Sequence, residues 1–130
     1  MSIETVLAEA RTGLRRVEPH EALRLQDDGA LLVDIRPRHN REAEGEIPGS
    51  VPIERIVLEW RLDPRGEHRI EGVTEQTTVI VLCNEGYASS LAARDLQQVG
   101  LPAATDLVGG FRAWAAAGLP VRAEVTPAIT

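Results

Sequence analysis

The chain has a single cysteine, Cys83, in 130 residues. One thiol cannot close an intramolecular disulfide, so nothing points to export, and the expected setting is a cytoplasmic one in which the thiol stays reduced. Aromatic residues are scarce, at 3%, which leaves Val, Leu, Ile and Ala to build the core. No apolar run approaches the roughly 18 residues of a membrane span. The N-terminal stretch MSIETVLAEARTGLRR carries acidic residues where a secretory leader carries basic ones. Basic residues are in deficit: 14 Lys and Arg against 20 Asp and Glu, a net charge of −6. That balance argues against nucleic acid or an anionic membrane as the main partner. The three histidines, His20, His39 and His68, are scattered and show no metal-ligand spacing, so neither a metal nor a cofactor is expected. No histidine is placed by a motif to serve as base in a protease-like Cys–His pair.

What is present is an ordinary globular composition, 43% hydrophobic and 26% charged, in a chain of single-domain length. Ile3, Val6, Leu7, Ala10 and Leu14 recur at helical spacing, so Ser2 to Leu14 is expected as an amphipathic helix with Ser2 as its cap. A short extended piece is expected near Arg16 and Val17, and Pro19 suits the first turn of a helix through Leu25. Ala30 to Ile35 has the length and apolarity of a buried strand. Pro37 to Glu46 is polar, with one helical turn expected. Ser50 to Ile53 is expected as a short strand, followed by a helix over Ile56, Val57, Trp60 and Leu62, then a loop from Asp63 to Gln76. Thr78 to Leu82 is rich in β-branched residues and reads as a strand. A helix is expected from about Ala88 to Val99, a last strand from Thr105 to Val108, and a final helix from Phe111 to Ala117. Strands alternate with helices throughout, which favours an α/β domain with a mainly parallel sheet and helices on both faces.

Cys83 directly follows a central-looking strand, and ligands of open α/β sheets bind outside the carboxyl ends of the strands. Residues Asn84 to Tyr87 then turn into a helix beginning near Ala88 or Ser89. Such a turn can aim several backbone N–H groups inward as an anion nest, and a helix start adds about 0.3–1 kcal/mol, or up to about 2 when buried. A free thiol is only a few per cent ionised at neutral pH, and making it mostly thiolate takes roughly 2.7 kcal/mol. The helix end and several aimed amides are of that size together. Glu85 opposes them if it points inward, by about 0.7 kcal/mol in water and about 3 at an effective dielectric of 20. The bland alternative is an inert buried cysteine at a strand end.

Three stretches in order resemble a known family. LLVDIRPRHNREAEGEIPGSVPI (Leu31 to Ile53) resembles the Asp-x-Arg element and the Gly-His-Ile-Pro-Gly-Ala element of single-domain rhodanese-like sulfurtransferases. VIVLCNEGYASSLAARDLQQVG (Val79 to Gly100) resembles their active-site strand, loop and helix. LVGGFRAWAAAGLPV (Leu107 to Val121) resembles their closing Gly-Gly-aromatic-x-x-Trp signature. The resemblance implies a rhodanese-like α/β fold with a five-stranded, mainly parallel sheet. The chain is expected to divide into an N-terminal amphipathic helix (1–15), outside the family pattern and part of or packed on the domain, a rhodanese-like domain (16–122) and a flexible C-terminal tail (123–130). The resemblance implies that Cys83 takes up sulfane sulfur as a persulfide and passes it to a thiol or cyanide-like acceptor. The backbone of the six-residue loop Cys83-Asn84-Glu85-Gly86-Tyr87-Ala88, with Ser89 opening the helix, would hold the transferred sulfur and the donor's anionic group. Asp34 and Arg36 match Asp-x-Arg and are expected as a strand-end ion pair or hydrogen-bond support for a neighbouring loop, with direct substrate contact as the alternative. The partners it implies are a small sulfur-containing donor (thiosulfate, a persulfide or mercaptopyruvate) and a thiol acceptor, with a protein persulfide as a further candidate.

The chain departs from the pattern at three places. Many members carry Arg where this chain has Ala88, others carry basic residues where it has Asn84 and Glu85, and the Gly-His pair is here Gly45-Glu46. An acidic loop favours a donor other than doubly charged thiosulfate. It also keeps open a second function, a catalytically weak module that binds or regulates a protein. A phosphatase or arsenate reductase needs a loop one residue longer ending in Arg to grip a tetrahedral oxyanion, and neither Ala88 nor Ser89 is basic. Ser89 and Ser90 are expected as helix caps, with the Ser89 hydroxyl able to donate to the persulfide. Tyr87 is expected at the mouth of the loop, Phe111, Trp114 and Trp60 in packing, and Gly109-Gly110 in a strand-to-helix turn.

Overall fold

The computed structural model describes residues 1–130. In chain order its elements are α1 (Ile3–Thr12), α2 (Pro19–Asp27), β1 (Leu31–Asp34), α3 (Arg38–Glu44), β2 (Val51–Pro52), a 3-10 turn (Arg55–Val57) continuing into α4 (Leu58–Leu62), β3 (Val79–Leu82), α5 (Ala88–Gln98), β4 (Thr105–Asp106) and α6 (Gly110–Ala116). The Ser2 hydroxyl accepts the Thr5 N–H at 3.2 Å and starts α1. Pro19 opens α2, where its missing N–H costs nothing.

The strands pair in the order β2-β1-β3-β4, all parallel, with Leu31 to Asp34 in register with Val79 to Leu82. Successive side chains of a strand point to opposite faces, and here both faces are buried. Val33, Ile35, Val79 and Val81 face Leu58 and Leu62 of α4 and Ala92, Ala93 and Leu96 of α5. Leu32, Ile80 and Leu82 face Ala22 of α2 and Phe111 and Trp114 of α6. Helices therefore cover both sides, as the unbroken apolar strands require.

The sheet has four strands, where the resemblance implied five. The fifth position is reduced to a single parallel bridge between Val17 and Leu107. Val17 donates to Asp106 O at 3.1 Å and accepts from the Val108 N–H at 2.8 Å. Two residues later Pro19 begins α2, so the ladder has no room to continue.

Two other expectations change. The polar segment after β1 forms a full helix, α3, with Arg41 buried against Glu46 at 2.7 Å. Trp60, expected in packing, is 62% exposed: Leu58 and Leu62 turn to the core, and the residue midway between them on so short a helix must face outward. The chain beyond Val121 runs back along the fold. Glu46 and Arg122 exchange backbone hydrogen bonds at 2.9 and 2.8 Å, and Ile129 bonds to Pro52 and Glu54 at 2.9 and 3.0 Å. The returning segment covers β2, the outer strand of the sheet, whose free edge would otherwise be exposed.

Glu46 explains how that segment is held. Its buried carboxylate accepts from Arg41, from Arg122 at 3.1 Å, and from both the N–H and the hydroxyl of Thr126. Burial pushes its carboxyl up, but these donors outweigh burial and hold it below the ordinary carboxylate range. The residue that stands where the resembled motif has histidine is thus the anchor of the C-terminal segment.

Candidate active site

Cys83 lies at the carboxyl edge of β3, between β1 and β4, and is 9% exposed. Its Sγ accepts N–H groups from Gly86 at 3.3 Å and from Ser89 at 3.4 Å. The amides of Asn84, Glu85, Tyr87 and Ala88 donate to no protein acceptor.

Three separate parts of the fold turn the loop's carbonyls away from its interior. Phe111 N–H binds Cys83 O at 2.8 Å, and Arg112 N–H binds Asn84 O at 3.1 Å, both from the start of α6. Gly86 O accepts from the guanidinium of Arg11 at 2.6 Å and from that of Arg16 at 2.9 Å. All the peptides are trans, so each N–H points opposite to the C=O of the same peptide. Pulling these carbonyls outward presents the N–H groups of Asn84, Glu85 and Tyr87 on the other side. The result is a loop whose positive potential comes from backbone dipoles.

Two glycines are required for this geometry. Gly86 has φ 87°, and a Cβ there would lie 2.8 Å from Gly109 N. Gly110 has φ 65°, and a Cβ there would lie 2.5 Å from Cys83 O and 2.6 Å from Asn84 C. The Gly109-Gly110 turn therefore does more than join β4 to α6; it lets the helix start press directly against the cysteine's backbone.

Behind the loop is a buried polar network. Asp106, at the end of β4 and fully buried, accepts from Arg16 Nε at 2.9 Å and from the Ser89 and Ser90 hydroxyls at 2.7 Å each. Arg11 Nε donates to Ser90 Oγ at 3.0 Å. Buried charge is tolerated only when paired and hydrogen-bonded, and together these contacts tie β4, the N-terminal segment and α5 to one another. The serines do not cap α5; its cap residue is Tyr87, without a side-chain bond. The Ser89 hydroxyl is committed to Asp106, so Ser89 faces the sulfur through its N–H alone.

On the other side Arg36 and Asp34, both buried, form a forked pair with closest approach 2.8 Å. Arg36 also donates to Gly45 O at 2.8 Å and to Asn84 Oδ1 at 3.4 Å, and it lies 4.0 Å over the Phe111 ring. Asn84 in turn donates to Glu44 at 3.1 Å. Arg112 holds the Glu44 carboxyl below its usual range, against a smaller upward push from burial. Glu85 points to the rim: its side chain is 60% exposed and pairs with Arg112 at 3.5 Å. It does not face the thiol. Ala88 and Tyr87 are exposed, and Tyr87 forms part of the mouth.

The loop opens into a pocket of about 310 Å³ walled by Ile35, Arg36, Asn40, Arg55, Cys83 and Tyr87 among others. A larger depression of about 580 Å³ lies at the opposite end of the sheet, beside Gly29, Leu31, Glu71 and Thr78. It contains no thiol; Cys83 lines the smaller pocket, which is therefore the candidate site. The three histidines are all exposed. Arg11, Arg16 and Asp106 escaped the sequence reading, because their contacts with the loop, with α5 and with one another span 16 to 90 positions.

A parallel α/β sheet with one thiol in an amide-lined loop at its carboxyl edge defines a class of cysteine-dependent domains. The chain belongs to the rhodanese-like domain family, whose model matches residues 18–117. It is similar to a maize adenylyltransferase and sulfurtransferase, MOCS3-1, with 33% identity over 102 residues, covering 76% of this chain and 21% of that protein. The chain thus spans only about a fifth of the length of that relative. It is also similar to the thiosulfate sulfurtransferase GlpE of Stutzerimonas stutzeri, 31% identical over 103 residues, covering 79% of this chain and 86% of that one. Among solved structures, a Rhodopseudomonas palustris protein described as of unknown function and a possible tyrosine phosphatase superposes with a TM-score of 0.84 at 32% identity, covering 94% of this chain and 95% of that chain. Human single-domain sulfurtransferase TSTD1 superposes with a TM-score of 0.66 at 25% identity, covering 78% and 95%. No helix of the chain is long and apolar enough to cross a membrane.

Proposed function

We propose that the protein is a sulfurtransferase that carries sulfane sulfur as a persulfide on Cys83. The observation that supports this best is the orientation of the loop, with carbonyls held outward and N–H groups gathered around a sulfur that already accepts two of them. That arrangement stabilises negative charge on sulfur, both as the attacking thiolate and as the terminal sulfur of the persulfide. In the first half-reaction the Cys83 thiolate attacks the outer sulfur of the donor. A new S–S bond forms, the donor's own bond to that sulfur breaks, and the leaving group departs with the electron pair: a thiolate from a persulfide, sulfite from thiosulfate, or the enolate of pyruvate, which then takes up a proton, from mercaptopyruvate. In the second, a thiolate or cyanide acceptor attacks the terminal sulfur and Cys83 leaves as thiolate. No external oxidant or reductant is consumed. Asn84, Glu85, Gly86, Tyr87, Ala88 and Ser89 form the binding loop through their backbone, and Asp34 and Arg36 support it through Asn84 and Gly45.

A pocket of about 310 Å³ has room for an organic donor, and no loop side chain offers a free cation to a dianion. Both favour a low-molecular-weight or protein persulfide over thiosulfate. A reducing compartment such as the cytoplasm suits a mechanism that needs a free thiol. A phosphatase reading is disfavoured, since Ala88 and Ser89 stand where a forked cation would be needed.

The test is intact-protein mass after incubation of the reduced protein with thiosulfate, mercaptopyruvate or glutathione persulfide. A gain of one sulfur on the wild type, removed by cyanide and absent from Cys83→Ser, is the expected result. No gain with any donor, in folded protein whose thiol still alkylates, would refute the proposal and favour a protein-binding module.

A further inference from the structure

The loop's charge balance singles out one residue. Arg36 is paired with Asp34 at 2.8 Å, and Arg16 with Asp106 at 2.9 Å. Arg55, on the pocket wall, is shared between Glu59 and Asp95 at 2.9 and 2.6 Å. Arg112 is divided between Glu44 and Glu85. Arg11 touches the loop as well, but no carboxylate lies within salt-bridge distance of it. Its guanidinium is spent on Gly86 O, on Ser90 Oγ and on the Tyr87 ring, whose centre lies 5.7 Å away. Arg11 is on α1, outside residues 18–117 matched by the family. It is half-buried against α5, so its charge is screened less than that of a free surface arginine.

We infer that Arg11 is a positioning residue for Cys83: it turns the Gly86–Tyr87 peptide so that the Tyr87 N–H faces the loop interior, and it supplies the loop's one uncompensated positive charge. The inference rests on the sulfurtransferase reading for its purpose, because a thiolate and a terminal persulfide sulfur are what such a loop would stabilise. Its geometry stands without that reading. Arg16 shares the Gly86 carbonyl, but its charge is cancelled by Asp106, so the electrostatic part falls to Arg11. The N-terminal helix is thereby a working part of the site, joined to it by one guanidinium.

The test compares Arg11→Met, Arg11→Lys and Arg15→Met. Arg15 is exposed and bonds to no side chain or carbonyl, so its loss changes net charge equally without touching the loop. The readouts are the pH profile of Cys83 alkylation by iodoacetamide, sulfur loading from glutathione persulfide, and the denaturation midpoint. Arg11→Met should move the alkylation midpoint up by about half a unit to one unit, slowing alkylation at neutral pH about threefold to tenfold. Arg15→Met should match wild type. Arg11→Lys keeps the charge but loses the fork, so its midpoint should stay near wild type while loading slows. An Arg11→Met profile identical to that of Arg15→Met overturns the inference. If Arg11→Met fails to fold, an Arg11→Lys protein with wild-type loading overturns the positioning role. If wild type takes up no sulfur but Arg11→Met still shifts the alkylation profile, the sulfurtransferase proposal falls and this inference stands.

Discussion

Replacing Gly110 by alanine should damage the site more than it damages the helix in which Gly110 sits. A Cβ at this position would lie 2.5 Å from Cys83 O and 2.7 Å from Asn84 O, both backbone atoms. Ordinary contact begins near 3.4 Å, so the cysteine's peptide must retreat by about 0.9 Å or α6 must move. The left-handed backbone costs a non-glycine residue about 1–2 kcal/mol, and forcing an extra methyl into a packed site costs about 1–3 more. The total is about 2–5 kcal/mol, a large share of the 5–15 typical of a domain. Gly118 provides the control, since it has φ 76° and nothing within 4 Å of its Cβ position. Gly118→Ala should show the backbone cost alone, about 1–2 kcal/mol. At about 4 °C per kcal/mol for this length, the expected drops in Tm are about 4–8 °C for Gly118→Ala and about 8–20 °C for Gly110→Ala. Among molecules that remain folded, sulfur loading of Gly110→Ala should fall by on the order of 10²-fold, because displacements near 1 Å in a reacting group cost that much. Gly118→Ala should load normally. If Gly110→Ala is no less stable than Gly118→Ala and loads sulfur at the wild-type rate, the close approach of α6 to Cys83 is not what shapes the loop.

Two further predictions concern charges. Glu46 is held below the ordinary carboxylate range, so its stabilising contribution is full above about pH 5 and is lost as pH falls through its lowered folded value. Wild type should therefore lose stability as pH falls from about 5 into the acid range below the ordinary carboxylate value, whereas Glu46→Gln, already weaker at neutral pH, should show a flatter slope there; parallel denaturation midpoints over that fall in pH would contradict the assignment. Glu85→Arg should change the alkylation rate of Cys83 by less than about twofold, because this side chain is 60% exposed and pairs with Arg112 at the rim. A tenfold change would mean that Glu85 does face the sulfur.

Much of the fold was legible because it is local. The apolar runs around Leu32 and Ile80 have strand length and no polar face, which requires a sheet covered on both sides. Ser2, Pro19 and the Gly100-Leu101-Pro102 stop announce helix ends in the residues themselves. The length of the sheet at Val17 was less legible: only the nearness of Pro19 cuts the fifth strand to one bridge. The placement of residues 122–130 was not legible at all. It depends on Glu46 reaching Thr126 across 80 positions, and nothing near Thr126 in the chain signals a carboxylate partner. Trp60 shows the opposite failure, since aromatic character alone suggested burial while its position between Leu58 and Leu62 dictated exposure.

The site divides in the same way, and the division says what kind of electrostatics operates there. The thiol, its loop length and Gly86 lie within a few residues of one another and could be found together. What orients the loop comes from far away: Arg11 and Arg16 before it, and Phe111 and Arg112 after it. The cations are used on carbonyl oxygens and carboxylates, and the sulfur meets only N–H groups. A backbone dipole acts over a few ångströms, whereas a guanidinium aimed into the pocket would attract any anion that entered. A loop of this design therefore stabilises charge localised on one sulfur atom held in the loop and gives little grip to a second negative group farther out. That is the physical reason why Glu85 and Ala88 are compatible with a working thiolate, although both lack the positive charge expected of a receptor for a dianion.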